Sequence, residues 1–395
     1  MKPRLFSRPL ARPSAQPSAQ YPRLFPLYRT RSPFARQASV VYALLIAFIS
    51  LYPLTGWRDL GVSPFAFFLA PLPTYRTLFD LGSNVLAYVP LGFLLTLAFY
   101  PRVRGVLACL LATGLGLAWS GVMEIGQVYL PARIPSNLDT LLNTGGTLLG
   151  ALLGSVRAPH ILLHGSLARW RLRWLVREAS FGLILLLLWY LAQMRPQIYA
   201  FGLGDWARPV LSWLAGWWPE PLDSLAWYNW INLSSDDFVA FESLIVACQV
   251  STAGLLLLSL LRPDAPRRRL LLVGCVLALL TKGLTQRLLL GVDATWNWLT
   301  PGTLAGLLMS GLLLIGACNS APRAVLRLAL FMLSISVLLT NCAPDNLYAL
   351  ARIEAWNPGQ WFNLHGVVQV LDWAWPALAF VYLLRRLERS TEHTA

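Results

Sequence analysis

Acids, carboxamides and one arginine recur at helical spacing inside a stretch of sequence that is otherwise apolar. Ser120, Glu124 and Gln127 stand at i, i+4 and i+7; Asp139 and Asn143 stand at i and i+4, and Asp80 and Asn84 repeat that interval. Such spacing puts each set on one face of a helix. A charged side chain at mid-bilayer costs at least about 2.5–3.5 kcal/mol on insertion scales, so these groups need partners or a task. Two carboxylates could support acid–base chemistry. The planar fork of Arg133 suits a carboxylate or a phosphate. No histidine or suitably placed cysteine accompanies them, so the sequence names no nucleophile and no catalytic residue.

The elements that must carry these groups follow from composition. The chain has 395 residues, 56% hydrophobic and 13% charged, against about 25% charged in soluble domains. Leu-rich runs such as 181–191 and 270–280 define an all-α polytopic membrane protein. Alternating segments of a β-barrel are absent. Ten spans are expected, at 39–55, 81–100, 104–128, 137–155, 174–194, 237–261, 269–290, 301–318, 324–342 and 366–384. With both termini cytosolic, 24 of the 32 Lys and Arg residues fall on inner segments and 14 of the 18 acids on or near the outer side. That asymmetry is the positive-inside pattern, and it explains the net charge of +14 without a nucleic-acid partner.

The polar set then sits at the outer helix ends. The eight residues 129–136, with two prolines and Arg133, hold the third and fourth spans as a hairpin, placing Arg133 to pair with Glu124 or Asp139. Ser136-Asn137 reads as an N-cap, with Asp139 in the first turn. Gly146 and Gly150 form a small-xxx-small pair for close helix packing. Pro90 is expected to kink the second span.

Three regions are expected: a basic, disordered cytosolic tail over 1–37, a four-span unit over 38–155, and about six further spans over 156–395. The tail holds seven arginines, one lysine and no acid; its seven prolines spoil the amphipathic helix of a presequence. The outer segment 195–236 carries six tryptophans, reads as an aromatic belt, and allows a short interfacial helix over 206–218. A second aromatic run, Trp356–Phe362, belongs to the same side. Gly146–Gly150 (GTLLG) recurs faintly as Gly302–Gly306 (GTLAG), with the second copy expected to serve as scaffold. Lys282 and Arg287 are expected to snorkel rather than neutralise Asp293 or bind an anionic headgroup, with Asp372 as an alternative partner for Lys282. His160 and His164 lack a third ligand, so no metal is expected. Five cysteines without CxxC spacing imply neither disulfides nor zinc, and no cofactor motif occurs.

At these residues the chain resembles the VanZ-like family. The resemblance rests on Asp80-x3-Asn84, Pro90-Leu-Gly-Phe, Ser120-x3-Glu124-x2-Gln127, Arg133, Asp139-x3-Asn143 and Gly146-x3-Gly150. It covers about residues 45–155. The family takes its name from a protein associated with low-level teicoplanin resistance. The resemblance implies a multi-pass protein of the bacterial cytoplasmic membrane, with membrane lipid around it and no established reaction. Three readings follow. One is a non-enzymatic protein binding an envelope lipid-linked or glycopeptide-like ligand. Another is an enzyme acting on a lipid headgroup through Glu124 or Asp139 and Arg133. The third is a transporter, which the one-sided cluster disfavours. No oligomeric state is implied.

Overall fold

A computed structural model describes residues 32–72, 77–217, 234–344 and 364–392. Each of the ten expected spans contains a helix, and no strand occurs among the described residues. Eight helices are long and apolar enough to cross a membrane. The chain is an all-α, multi-pass membrane protein. The calls on the tail up to residue 31, Trp218, Trp227, Trp230 and 356–362 lie outside the described residues.

The first half contains α1 (Pro33–Leu51), α2 (Leu78–Phe99), α3 (Gly105–Gln127) and α4 (Asn137–Pro159). Helix α1 starts earlier than hydropathy suggests. Ser32 caps it, its Oγ accepting from Ala35 N at 3.3 Å, and Pro33 takes the first turn, where no N–H is needed. Residues 33–37 are therefore helical rather than part of a disordered tail. Helix α2 runs without a break through Pro90, and Tyr42 of α1 donates to the Ala87 carbonyl at 2.9 Å in the same turn.

Helices α2 and α4 form the tightest pair, and the glycines are the reason. A Cβ on Gly146 would meet the carbonyl of Val85, and one on Gly150 the carbonyl of Val89. Any larger residue would push the backbones apart. The second half repeats this contact: a Cβ at Gly302 or Gly306 would press on Glu242 and on Ser243 O. The GTLLG echo is thus a repeated packing device.

The second half contains α5 (Ser166–Trp174), α6 (Ala179–Ala192), α7 (Ala207–Ala215), α8 (Ser235–Leu260), α9 (Arg267–Leu290), α10 (Pro301–Ala317), α11 (Pro322–Cys342) and α12 (Leu364–Glu392). Helix α8 is its hub. Most of its residues are buried, whereas few of those of α1 are, and it packs on α6, α9, α10 and α11. Basic α5 precedes α6, and Leu175 between them pairs with Leu261 beyond α8. Amphipathic α7 lies within the Trp-rich segment, with Trp213 and Trp217 exposed, as an interfacial helix requires. Helix α1 contacts α6 and α12 and so joins the two halves.

Candidate functional site

The polar residues of the first half meet where α2, α3 and α4 end on one side. Glu124 is 3% exposed, and its Oε2 accepts from Ser136 N at 2.8 Å. A carboxylate from α3 thereby binds a free N–H ahead of α4, and the Ser136 hydroxyl accepts from Asp139 N at 3.3 Å. Free amides at a helix start need such acceptors.

Two carboxamides tie the remaining groups together. Asn84 Nδ2 donates to Asp139 Oδ1 at 2.9 Å, joining α2 to α4. Asn143 Nδ2 donates to Ser120 Oγ at 2.9 Å, joining α4 to α3. Asp139 is half-buried; Ser120 and Asn143 are buried. Asp80 is exposed, and Thr77 Oγ1 donates to its Oδ2 at 2.6 Å. Asp80 and Glu124 are each electrostatic neighbours of Asp139.

Arg133 corrects an expectation. Its guanidinium does not reach Glu124 or Asp139 among the described ion pairs. Its Nε and an Nη donate to Tyr52 O at 2.9 and 2.7 Å, and an Nη also reaches Ile49 O at 3.1 Å. Arg133 thus satisfies open carbonyls at the C-terminal end of α1, where a cation is favoured by the helix dipole. Partial burial pulls its pKa below the ordinary guanidinium value. Gln127 does similar work, donating to Ser50 O at 3.2 Å. Both residues fasten the α3–α4 hairpin to α1.

One member was missed. Tyr88 follows Asp80 and Asn84 at the same four-residue interval on α2, so the spacing alone points to it. It is 3% exposed, and its hydroxyl faces the Ser120 side chain. Asn143 Oδ1 is buried with no partner among the described residues. A buried polar atom left unpaired costs about 1–3 kcal/mol. The Asn143 carbonyl is therefore an acceptor that the fold does not consume. Among the described residues, no three His, Cys, Asp or Glu side chains gather closely enough to hold a metal ion.

The second half also differs from expectation. Lys282 does not snorkel: it is 1% exposed and donates to Arg195 O at 3.1 Å and to Gln197 Oε1. Asp372 pairs with Arg195 at 2.5 Å, not with Lys282. Hydropathy hid both contacts because their partners come from a non-helical segment after α6.

No curated protein and no solved structure matches the chain. Residues 24–158 match the family described as VanZ/LLP1, and the whole polar cluster falls inside that stretch. The chain is therefore a membrane protein whose N-terminal third is a VanZ-like region, followed by a multi-helix half outside the match.

Proposed function

We propose that the chain is a cell-envelope protein of the bacterial cytoplasmic membrane that binds a lipid-linked or glycopeptide-like ligand at the α2–α4 mouth, and that it contributes to glycopeptide tolerance. The observation that carries this reading is the buried acceptor Asn143 Oδ1, without a partner among the described residues, in the cluster that also holds Tyr88, half-buried Asp139 and exposed Asp80. A buried acceptor left unpaired suits a ligand that supplies a hydrogen bond. The family match supports the envelope setting through its name alone.

An enzymatic reading gains less support. Arg133, the candidate phosphate holder, is engaged by the carbonyls of Ile49 and Tyr52, and Glu124, the candidate base, accepts from Ser136 N. Binding without turnover needs neither group to be released.

The test is teicoplanin susceptibility of a bacterium with and without the chain, alongside mass spectrometry of lipids that co-purify with it. Asp139→Asn and Asn143→Leu should each abolish the tolerance increment and the co-purifying species while the protein still inserts. Full tolerance in both variants would refute the proposal. A reporter fused after Arg133 should score as external and one after Arg169 as cytosolic; the reverse would turn the mouth to the cytosol.

A further inference from the structure

The segment between α6 and α7 does not run over the surface. Residues 193–206 fold into the bundle, and Gln193, Tyr199, Phe201 and Leu203 are all at most 2% exposed. Non-helical backbone at membrane depth is tolerated where protein satisfies its polar groups or where it lines a cavity. Both conditions hold. Asp372 of α12 accepts from Gly204 N at 3.1 Å. Asn341 of α11 accepts from Trp206 N and Ala207 N at 2.9 and 2.7 Å, and donates to Gly204 O at 2.8 Å. The segment so held walls a cavity of about 270 Å³, together with Thr340 near the end of α11 and with Gln369, Asp372 and Trp373 of α12.

The chemistry of the wall is specific. Its two guanidiniums are each matched by a carboxylate, Arg195 with Asp372 at 2.5 Å and Arg208 with Asp205 at 2.9 Å. Two atoms remain over: Arg195 Nε, a donor, and Asp205 Oδ1, an acceptor, both buried and unpartnered among the described residues. Tyr199 and Trp373 add ring surface. Charge-matched pairs do not select an anion, and leftover polar atoms do not suit an alkyl chain. The complement is a group whose own atoms both donate and accept, as hydroxyls do. Pockets for drug-sized molecules measure about 300–1,000 Å³, so this volume suits one ring rather than a whole lipid.

We propose that this cavity is a binding site for a neutral polyhydroxy ring, the chemistry of a sugar, independent of the α2–α4 mouth. The ring could arrive as a free sugar or as a glycolipid headgroup. The full chain in phosphatidylcholine nanodiscs would be tested by equilibrium dialysis with glucose and N-acetylglucosamine. A second arm would count glucosyl-diacylglycerol retained from mixed nanodiscs by native mass spectrometry, and inorganic phosphate would serve as competitor. Saturable sugar binding in either arm is expected, with phosphate inert; binding in the glycolipid arm alone identifies a lipid-borne source. Trp373→Ala should weaken binding about tenfold, a loss near 1.4 kcal/mol. Gln369→Leu, in a side chain with no hydrogen bond among the described residues, provides a second variant should the first fail to fold. Asp139→Asn, in the other mouth, should leave binding intact. Absence of saturable binding in both arms, displacement by phosphate, or wild-type affinity in a folded cavity variant would overturn the proposal.

Discussion

The two halves of the molecule place polar groups at the same helix ends but hold them in different ways. In the VanZ-like region the bonds run as short rungs between straight helices: Ser120 to Asn143, Asn84 to Asp139, Glu124 to Ser136. In the second half an inserted loop gathers them, and the ion pair Arg195–Asp372 joins residues 177 apart in sequence. Rungs leave Asp139 half-buried and reachable, whereas the loop seals Asp372 at 3% exposure. Acids of one kind thus serve as an approachable lip in one place and as an internal clamp in the other.

The largest expected effect tests that contrast directly. Asp372→Ala removes the buried partner of a half-buried guanidinium and should destabilise the fold by about 3 kcal/mol. Asp139→Ala loses one hydrogen bond at a half-buried site and should cost about 1 kcal/mol. Thermal unfolding of the purified protein in detergent measures both. Equal losses would break the distinction between clamp and lip.

Arg133 offers a smaller effect with a sharper meaning. Removing its charge-assisted bonds to Ile49 O and Tyr52 O in Arg133→Ala should cost about 1.5–3 kcal/mol. Glu124→Gln keeps an acceptor for Ser136 N and should cost less. If Arg133→Ala leaves stability unchanged yet abolishes tolerance, Arg133 belongs to the ligand site and not to the frame.

The sequence exposed the rungs because they obey helical spacing. Asp80, Asn84, Ser120, Glu124, Asp139 and Asn143 all lie at intervals that one helix face dictates, and Tyr88 was available by the same rule. The clamp was hidden because a loop obeys no period. Lys282 was expected to reach water because nothing in its own helix announces the carbonyl of Arg195. Span ends erred for related reasons. Hydropathy stops at the basic residues 385 and 386, yet α12 continues to Glu392 because a helix outlasts its apolar stretch. At α6 the expected 21 residues shrink to 14, a rise of about 21 Å, because the chain turns inward after Ala192.

The glycine pairs ask whether the halves share a packing device. A Cβ at Gly150 falls on the Val89 carbonyl, and one at Gly306 lies 2.5 Å from Ser243 O. Alanine at either should cost about 1–3 kcal/mol through overpacking. Gly145 and Gly311 have nothing within 4 Å of a new Cβ, so alanine there should be neutral or stabilising by up to about 1 kcal/mol. A tolerant Gly306 beside an intolerant Gly150 would mean that the echo is one of sequence only.

The smallest effects concern the caps, and they decide what Asp80 is for. Thr77 and Ser234 start α2 and α8 in the same way: each hydroxyl accepts the amide three residues on, at 3.0 and 3.4 Å, and donates to the same residue's carboxylate. Alanine at either should cost about 1 kcal/mol. If Asp80 does only what Asp237 does, Asp80→Asn and Asp237→Asn will shift the unfolding temperature alike, and neither will change teicoplanin susceptibility. A ligand contact at Asp80 demands a different result: matched stabilities, with tolerance lost in Asp80→Asn alone. Asp80 is an electrostatic neighbour of Asp139, in the cluster that holds the buried acceptor Asn143 Oδ1, so the second result is expected.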